Sequence, residues 1–422
     1  MATGRMYKER VDRVTDEKNE IWDVIVVGAG PGGATCAWKC AAAGLKVLIL
    51  ERAAVLPRYK PCGGGIPASL MRDVSGFENP EEFADLTVTR LRHSWKGKSP
   101  IVADMTTSTG EPAQVWMVQR PRFDNYLVQR AQSQGATLLM GVKVTGIAVT
   151  TDGVTLSAEG QEWRSRYVVG ADGAKGIIGP RAGLRLGRRY GIAREIEIPT
   201  AKPDSVSSEG ELSERELLPG TAYLDYGTVP NGYAWIFPKD GFLSVGAGML
   251  LPKQPTAEAE RGVGLVLKRA IDIMLGSVGR TYPLGEDAPR LWAHPIPFWT
   301  GAEPLATADG RVLLIGDAAG VVQPLFGEGI QYAIRTGDLA ATHLIAGTTQ
   351  QYTDSVRDQF AAEFDAALRV GKVFHRAPYL SYRLGVKNPA GTRLVGRIMA
   401  GEASFAALEN RIYERLRNPL QR

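Results

Sequence analysis

Apolar residues along this chain fall into two rhythms, and each predicts a different kind of sheet. Apolar runs rich in β-branched residues, two of them opening on a basic residue (Lys46 and Arg311), occur at 24–27, 46–50, 167–169 and 311–315. Runs of that kind suit parallel strands buried on both faces between helices. Alternation with Pro/Gly turns prevails instead from about 190 to 292, most clearly at 222–226, 233–237 and 243–249. A period of two predicts antiparallel strands with two unlike faces. Short strands of this second kind are expected within 86–118, and further strands at 137–140 and 143–149 before a hairpin at Asp152-Gly153. Helical patterns run to Ala43, over 120–134, 258–275 and 330–346, and through everything beyond Gln350, with breaks near Pro378 and Pro389.

The first strand–helix–strand unit carries more than a pattern. Gly28, Gly30 and Gly33 form G-x-G-x-x-G at the exit of the first strand, with Pro31 and Gly32 between them, and the second strand ends on Glu51 and Arg52. In that setting Gly28 makes the tight turn, Gly30 admits a pyrophosphate, and Gly33 lets helix pack on strand. The helix N-terminus then faces the phosphates and Glu51 the ribose hydroxyls. The unit predicts dinucleotide binding.

Length and composition narrow the setting. At 422 residues more than one core is expected. Apolar content of 44% and charge of 23% describe a globular chain, and the net charge of +5 is too small to point to nucleic acid. No apolar run approaches the roughly 20 residues that span a bilayer. The polar first twenty residues read as a mobile tail. Only Cys36, Cys40 and Cys62 occur, without C-x-x-C, which argues for a reducing, cytoplasmic setting and against a structural metal site. Cys36 and Cys40 lie one helical turn apart and are expected in the core. From Arg369 onward eleven Lys/Arg face three Asp/Glu.

A second glycine–acid strand exit, Gly316-Asp317, decides which dinucleotide. FAD is long enough to need a second anchor. Asp317 suits the ribityl hydroxyls, and a helix opened by Gly327, Gly329 and Ile330 suits the flavin N1/C2=O edge, where the reduced cofactor carries negative charge. The loop Lys60-Pro61-Cys62-Gly63-Gly64-Gly65 makes poor scaffold because its glycines cost backbone entropy. Such a loop is accepted where backbone passes close to something flat or bulky.

Together these motifs resemble the geranylgeranyl reductase family, a branch of the hydroxylase-like FAD enzymes, over residues 23–347. The resemblance rests on the G-x-G-x-x-G unit, the Cys62 loop, Arg120 with Phe123-Asp124, Ala171-Asp172-Gly173 and Gly316-Asp317-Ala318-Ala319-Gly320. The most discriminating stretch is Tyr233-Ala234-Trp235-Ile236-Phe237-Pro238, similar to the family's Y-x-W-x-F-P substrate motif. Tyr233, Trp235 and Phe237 project from one face of a strand, an aromatic wall suited to a polyprenyl chain.

The resemblance implies an FAD-dependent reductase of prenyl double bonds. Its fold is α/β with an α+β insertion: a three-layer Rossmann-like FAD-binding domain (21–85, 119–185 and 295–350), an antiparallel-sheet substrate domain (86–118 and 186–294), and C-terminal helices (351–422). It implies cofactor contacts at Cys62, Gly63, Gly64, Arg120, Val144, Asp172 and Gly173 besides the glycine motifs, and substrate contacts at Tyr233, Trp235 and Phe237. Cys62, Tyr233 and Trp235 are the catalytic candidates, Cys62 either to relay or donate a proton or only to shape the pocket, and the two rings to stabilise a cation. Candidate substrates are geranylgeranyl diphosphate, a prenylated lipid, a quinone side chain or a chlorophyll precursor. Val321–Phe326 is nearer the archaeal lipid-type members than the chlorophyll branch. With no second nucleotide fingerprint, NADPH docking transiently or reduced ferredoxin would supply electrons. The basic, amphipathic C-terminal helices suggest peripheral contact with anionic lipid. A flavin monooxygenase or halogenase, or a non-catalytic prenyl-binding escort, are the competing readings. The four histidines receive no chemical role, His294 in Ala-His-Pro-Ile-Pro being read as a structural turn.

Overall fold

The computed structural model describes residues 20–410 apart from 185–186, 188, 201–216, 253–256, 284, 286–287 and 302. Residues 1–19 of the expected twenty-residue tail, and 411–422 of the expected C-terminal helices, lie outside the described residues.

The β-branched apolar runs form one sheet. Its order is Thr137–Met140, Val47–Glu51, Ile21–Val27, Gln161–Gly170, Gly153–Ala158 and Gly146–Thr150, with Val312–Leu314 paired beside the end of Gln161–Gly170. The strands that end at the motifs are parallel: Val27 lies opposite both Leu50 and Gly170, and Gly170 opposite Leu314. Their exits therefore open at one end of the sheet, where ligands of such sheets collect. Val24, Ile25, Leu48, Ile49, Val168 and Leu313 are wholly buried, because helices cover the sheet. The strand expected over 143–149 begins only at Gly146, so Val144 stays in the connecting loop.

Helices Pro31–Ala42 and Ile330–Ala346 pack against each other through small residues. A Cβ on Gly337 would lie 2.3 Å from the Gly32 carbonyl oxygen, and one on Gly32 would lie 2.7 Å from that of Ala333. This contact brings the first turns of both helices to the same place.

The alternating segments form a second sheet, ordered Trp292–Phe298, Arg189–Pro199, Phe242–Leu250, Gly232–Lys239, Thr221–Tyr226, Arg90–Trp95 and Lys98–Asp104. All pairs are antiparallel except Thr221–Tyr226 with Arg90–Trp95. The sheet thus runs to Phe298, across position 294 where the two expected domains meet. Its faces differ as the period of two requires. Ala234, Ile236 and Val245 pack with Leu267, Ile271 and Met274 of helix Ala257–Gly276. Trp235, Phe237 and Leu224 join Tyr382, Val386 and Met399 of the C-terminal region. A small sheet, Gly65–Pro67, Val115–Met117 and Leu86–Val88, links the two.

The C-terminal helices break where proline demands. Tyr352–Arg376 stops before Pro378, and Pro389 opens the helix Pro389–Met399. The Asn388 side chain accepts hydrogen bonds from Ala390 N and Gly391 N. No helix among the described residues is long and apolar enough to cross a membrane.

Candidate functional site

A cleft between the two sheets encloses about 1540 Å³ of empty space, its open mouth included. Pro31 and Ile330, the first residues of the two packed helices, both line it. Neither helix has a side-chain cap at its N-terminus. Two sets of partly unsatisfied N–H groups and two positive dipole ends therefore face one space, an arrangement suited to an anionic ligand.

The glycines differ in what requires them. Gly28 adopts φ +108°, and a Cβ there would sit 2.4 Å from the Ala171 carbonyl oxygen. One on Gly33 would sit 2.0 Å from the Gly28 oxygen, so both are required by internal packing. At Gly30 a Cβ would meet only the Arg58 guanidinium tip, 3.6 Å away. Protein packing does not demand glycine at 30; close approach of a ligand would. Glu51 is buried, its carboxylate accepting from Ala29 N at 2.8 Å and Ala53 N at 2.9 Å. Arg58 reaches across to Glu51 (3.7 Å) and Asp124 (3.3 Å), while Asp124 holds buried Arg120 through two 2.7 Å bonds. Arg52 lies exposed after the strand, and Val144 is buried in the core. Asp172 caps a short helix, its Oδ2 accepting from Ile177 N (2.6 Å) and Ile178 N (3.0 Å), with Gly173 in the turn beside it at φ +81°.

The other end of the cleft gathers Lys60–Gly65, Asp317 and Gly327–Ile330. Lys60 Nζ lies 3.1 Å from Asp317, and His294 Nε2 lies 3.6 Å from it. Burial alone would raise the Asp317 carboxyl, but Lys60 and His294 hold it far below the usual carboxylate range. His294 does not sit in a turn. Its Ala-His-Pro-Ile-Pro segment is an edge strand, Trp292–Phe298, paired among the described residues only with Arg189–Pro199. An edge strand tolerates prolines because one side needs no N–H.

The Cys62 loop lies directly on the aromatic strand. A Cβ on Gly63 would be 2.8 Å from Phe237 Cδ2 and 3.4 Å from Trp235 Nε1. Gly64 takes φ +77°, and a Cβ there would be 2.2 Å from the Val118 oxygen. The flat object that this loop passes is thus, on one side, the protein's own aromatic wall. Tyr233 donates from its hydroxyl to the Phe326 carbonyl, and Trp235 Nε1 donates to Ser244 Oγ at 3.2 Å. The Trp235 indole lies over Gly246, where a Cβ would come within 2.1 Å of it. Tyr233, Trp235, Phe237 and Cys62 all line the cleft.

Four residues that motif reading passed over belong to this site: Arg58, Glu195, Lys239 and His294. Lys239 Nζ pairs with Glu197 at 2.9 Å and donates to the Cys62 carbonyl at 3.2 Å. A lysine closing the apolar strand Gly232–Lys239 was the one available signal for Lys239; Glu195 shares its strand with Arg194 and Glu197 and carries no signal of its own; Arg58 is an ordinary loop arginine until the fold closes over it. Among the described residues no cluster of His, Cys, Asp or Glu could hold a metal ion.

The donor set fits FAD on two counts. Gly30 leaves open the side on which a pyrophosphate would lie, and a half-buried, ionised carboxylate at Asp317 sits beside a second open helix N-terminus. Comparison with known proteins agrees. The FAD binding domain family matches residues 22–219. The chain is 32% identical to a geranylgeranyl diphosphate reductase of Rhodobacter capsulatus, over 77% of this chain and 75% of that protein. It is 30% identical to a digeranylgeranylglycerophospholipid reductase of Methanocaldococcus jannaschii, over 77% of each. A geranylgeranyl bacteriochlorophyll reductase-like protein of Thermoplasma acidophilum shares the fold with a TM-score of 0.68 at 21% identity, covering 84% of this chain and 88% of that one. With a nucleotide fingerprint whose helix opens at Pro31 onto the cleft that holds the second acid-bearing strand exit and the aromatic strand, the chain belongs to the geranylgeranyl reductase family of FAD-dependent oxidoreductases.

Proposed function

We propose that this protein reduces isolated double bonds of a geranylgeranyl or other polyprenyl chain. The observation that carries the reading is the packing of the Cys62–Gly64 loop against Trp235 and Phe237, beside the open N-terminus of helix Ile330–Ala346. A prenyl chain offers apolar area and π-density but almost nothing to hydrogen-bond, and this wall offers the same in return.

In this reading Gly28–Gly33, Glu51 and Arg58 hold the adenosine and pyrophosphate of FAD, with Arg120 held between them and the cleft by Asp124. Asp317 and the N–H groups of 327–330 hold the ribityl and flavin end. When bound and reduced, FAD supplies a hydride. Every other contribution is the chain's own. Trp235 and Tyr233 present π faces to the carbon that becomes electron-poor. Phe237 and the glycine loop exclude water, and Cys62 stands at the reacting face. A Cys62→Ser variant with unchanged turnover and FAD content would remove that thiol from the mechanism.

Substrates to test are geranylgeranyl diphosphate, a prenylated glycerolipid, a quinone with an unsaturated tail and a geranylgeranylated chlorophyll precursor. Each is incubated anaerobically with chemically reduced enzyme and examined by mass spectrometry. A gain of two hydrogens per double bond is expected for at least one. No gain with any, or product formation that consumes oxygen, would overturn the reading. Electrons reach the flavin from NADPH or reduced ferredoxin, and anaerobic bleaching by one of them assigns the donor.

A lipid-like substrate also suggests where the protein works. Val373, Tyr379, Leu380 and Leu384 are exposed on the C-terminal helices, among Lys372, Arg376, Arg383 and Lys387. This apolar patch within a basic surface supports peripheral contact with anionic lipid. His375, within the same stretch, lines the cleft, so the patch lies beside a route for the prenyl chain.

A further inference from the structure

Reduction of an unpolarised alkene needs a proton as well as a hydride, and the cleft holds a carboxyl group that the site description leaves without a task. Glu195 lies on strand Arg189–Pro199, 2% exposed, and lines the cleft. Its Oε1 is buried and has no hydrogen-bond partner among the described residues. An unsatisfied carboxylate oxygen in that position would be costly, whereas a neutral carboxyl is tolerated.

Strand register places this group beside the aromatic wall. Glu195 lies opposite Gly246, and Gly246 lies opposite Trp235. The three occupy one rung and one face of the sheet. Because Gly246 has no side chain, the indole of Trp235 lies across it, on the side of Glu195. The next rung is Glu197, Ser244 and Phe237. There Lys239 pairs with Glu197 and also binds the Cys62 carbonyl. Two acids two residues apart thus have different surroundings: Glu197 has Lys239 at 2.9 Å, and Glu195 has no cation at ion-pair distance among the described residues.

Resting on the prenyl-reduction reading, we propose that Glu195 is the acid that delivers the proton to the substrate alkene. The proton leaves the carboxyl and forms a C–H bond with the alkene π pair, so that the more substituted carbon becomes electron-poor against the Trp235 face. That carbon takes the hydride, with its two electrons, that reduced FAD supplies; FAD is oxidised, and the carboxylate regains a proton from water.

The groups around Glu195 support a proton held near neutrality. Burial raises its pKa to about 7; Glu197 adds to the rise, and Lys239, Ser244 and Arg120 oppose it. Tyr59, in the loop facing it, is itself pushed well up by burial and by the two glutamates. His294, one strand over, is pushed down by burial and bears on Asp317. Asp317 stays ionised, and the Tyr233 hydroxyl is engaged as a hydrogen-bond donor to the Phe326 carbonyl, so neither is free for the task. Glu328 also lines the cleft, but its carboxylate accepts from Gln331 at 2.8 Å and it is not on the Trp235 rung.

The test uses wild type, Glu195→Gln and Glu195→Asp. Infrared difference spectra of wild-type apoprotein minus Glu195→Gln should show the carbonyl stretch of a protonated carboxyl that titrates away around neutral pH. In anaerobic single turnover, reduced Glu195→Gln with full FAD content should pass its electrons to the prenyl substrate about a hundredfold or more slowly, the scale of a lost general acid. Glu195→Asp should recover part of the rate. The wild-type rate should fall as pH rises through neutrality, and this dependence should vanish in Glu195→Gln. Unchanged turnover and pH profile in Glu195→Gln, or a wild-type spectrum with no protonated Glu195 near neutral pH, would overturn the assignment. If wild type itself reduces no prenyl alkene, the functional reading fails and the assignment falls with it; a wild type that turns over beside an equally active Glu195→Gln refutes Glu195 alone.

Discussion

Gly63 shows how much one missing side chain decides. A Cβ there would press on Phe237 at 2.8 Å, and the ring is held between the loop and the sheet. Gly63→Ala should therefore cost about 1–3 kcal/mol of stability, the usual scale of overpacking. It should also slow prenyl turnover by displacing the aromatic wall while leaving FAD content near normal. A thermal melt with the flavin spectrum alongside checks both. Glu328 offers a test of a different kind. Burial raises its carboxyl to about 8, Glu363 adds to the rise, and Gln331 opposes it. The unfolded chain releases this proton near a pKa of about 4.3. Between these values the folded protein binds more protons than the unfolded one, so stability falls as pH rises. Glu328→Gln removes that penalty. The variant should melt several degrees above wild type at pH 8, with the gap closing toward pH 5; an equal gap at both would count against the burial of this charge.

At the scale of elements, two segments deserve variants. The aromatic strand Gly232–Lys239 separates two cores, with Ala234 and Ile236 facing one and Trp235 and Phe237 the other. Trp235→Ala should cost about 3–5 kcal/mol through the cavity it leaves, and prenyl reduction should be lost even in molecules that keep FAD. Trp235→Phe should retain most stability and part of the activity. The helix Pro389–Met399 depends on its cap, and its last residue, Met399, lines the cleft. Asn388→Ala removes both capping bonds and should destabilise by about 1 kcal/mol. Limited proteolysis should then cut first around this helix.

For the whole molecule, one cleft is shared by two sheets and closed by C-terminal helices whose outer surface is basic and partly apolar. The double variant Leu380→Ser/Leu384→Ser should lower co-sedimentation with vesicles containing anionic lipid severalfold while leaving the melting temperature nearly unchanged, since both side chains are more than half exposed. Raised salt should weaken wild-type binding further, because the basic residues act through a screened field. Co-sedimentation that is indifferent to both changes would remove the membrane contact from the functional proposal.

Most elements were legible in the sequence because each depends on local rules. The period of two separated the strands of one sheet from the apolar runs of the other, and prolines marked the breaks at 378 and 389. The dinucleotide fingerprint was equally legible, since its glycines, helix and acid are all contained in one βαβ unit. What local rules could not supply was juxtaposition. Gly30 and Gly33 look alike in sequence, yet only the fold shows that packing demands one and leaves the other open. His294 lay in a segment that read as a turn, because prolines within an edge strand cannot be told from prolines in a loop until pairing is known. Glu195 had no motif at all: its state depends on Gly246 and Trp235, residues 51 and 40 positions away that strand register brings to its side. The sequence by itself thus determined the FAD-binding architecture and the aromatic strand, whose physics is carried by neighbours along the chain. Only the tertiary structure decided which charges are buried together, and therefore which of the two neighbouring acids, Glu195 and Glu197, has a lysine at its side, because strand register and loop packing join residues far apart in the chain.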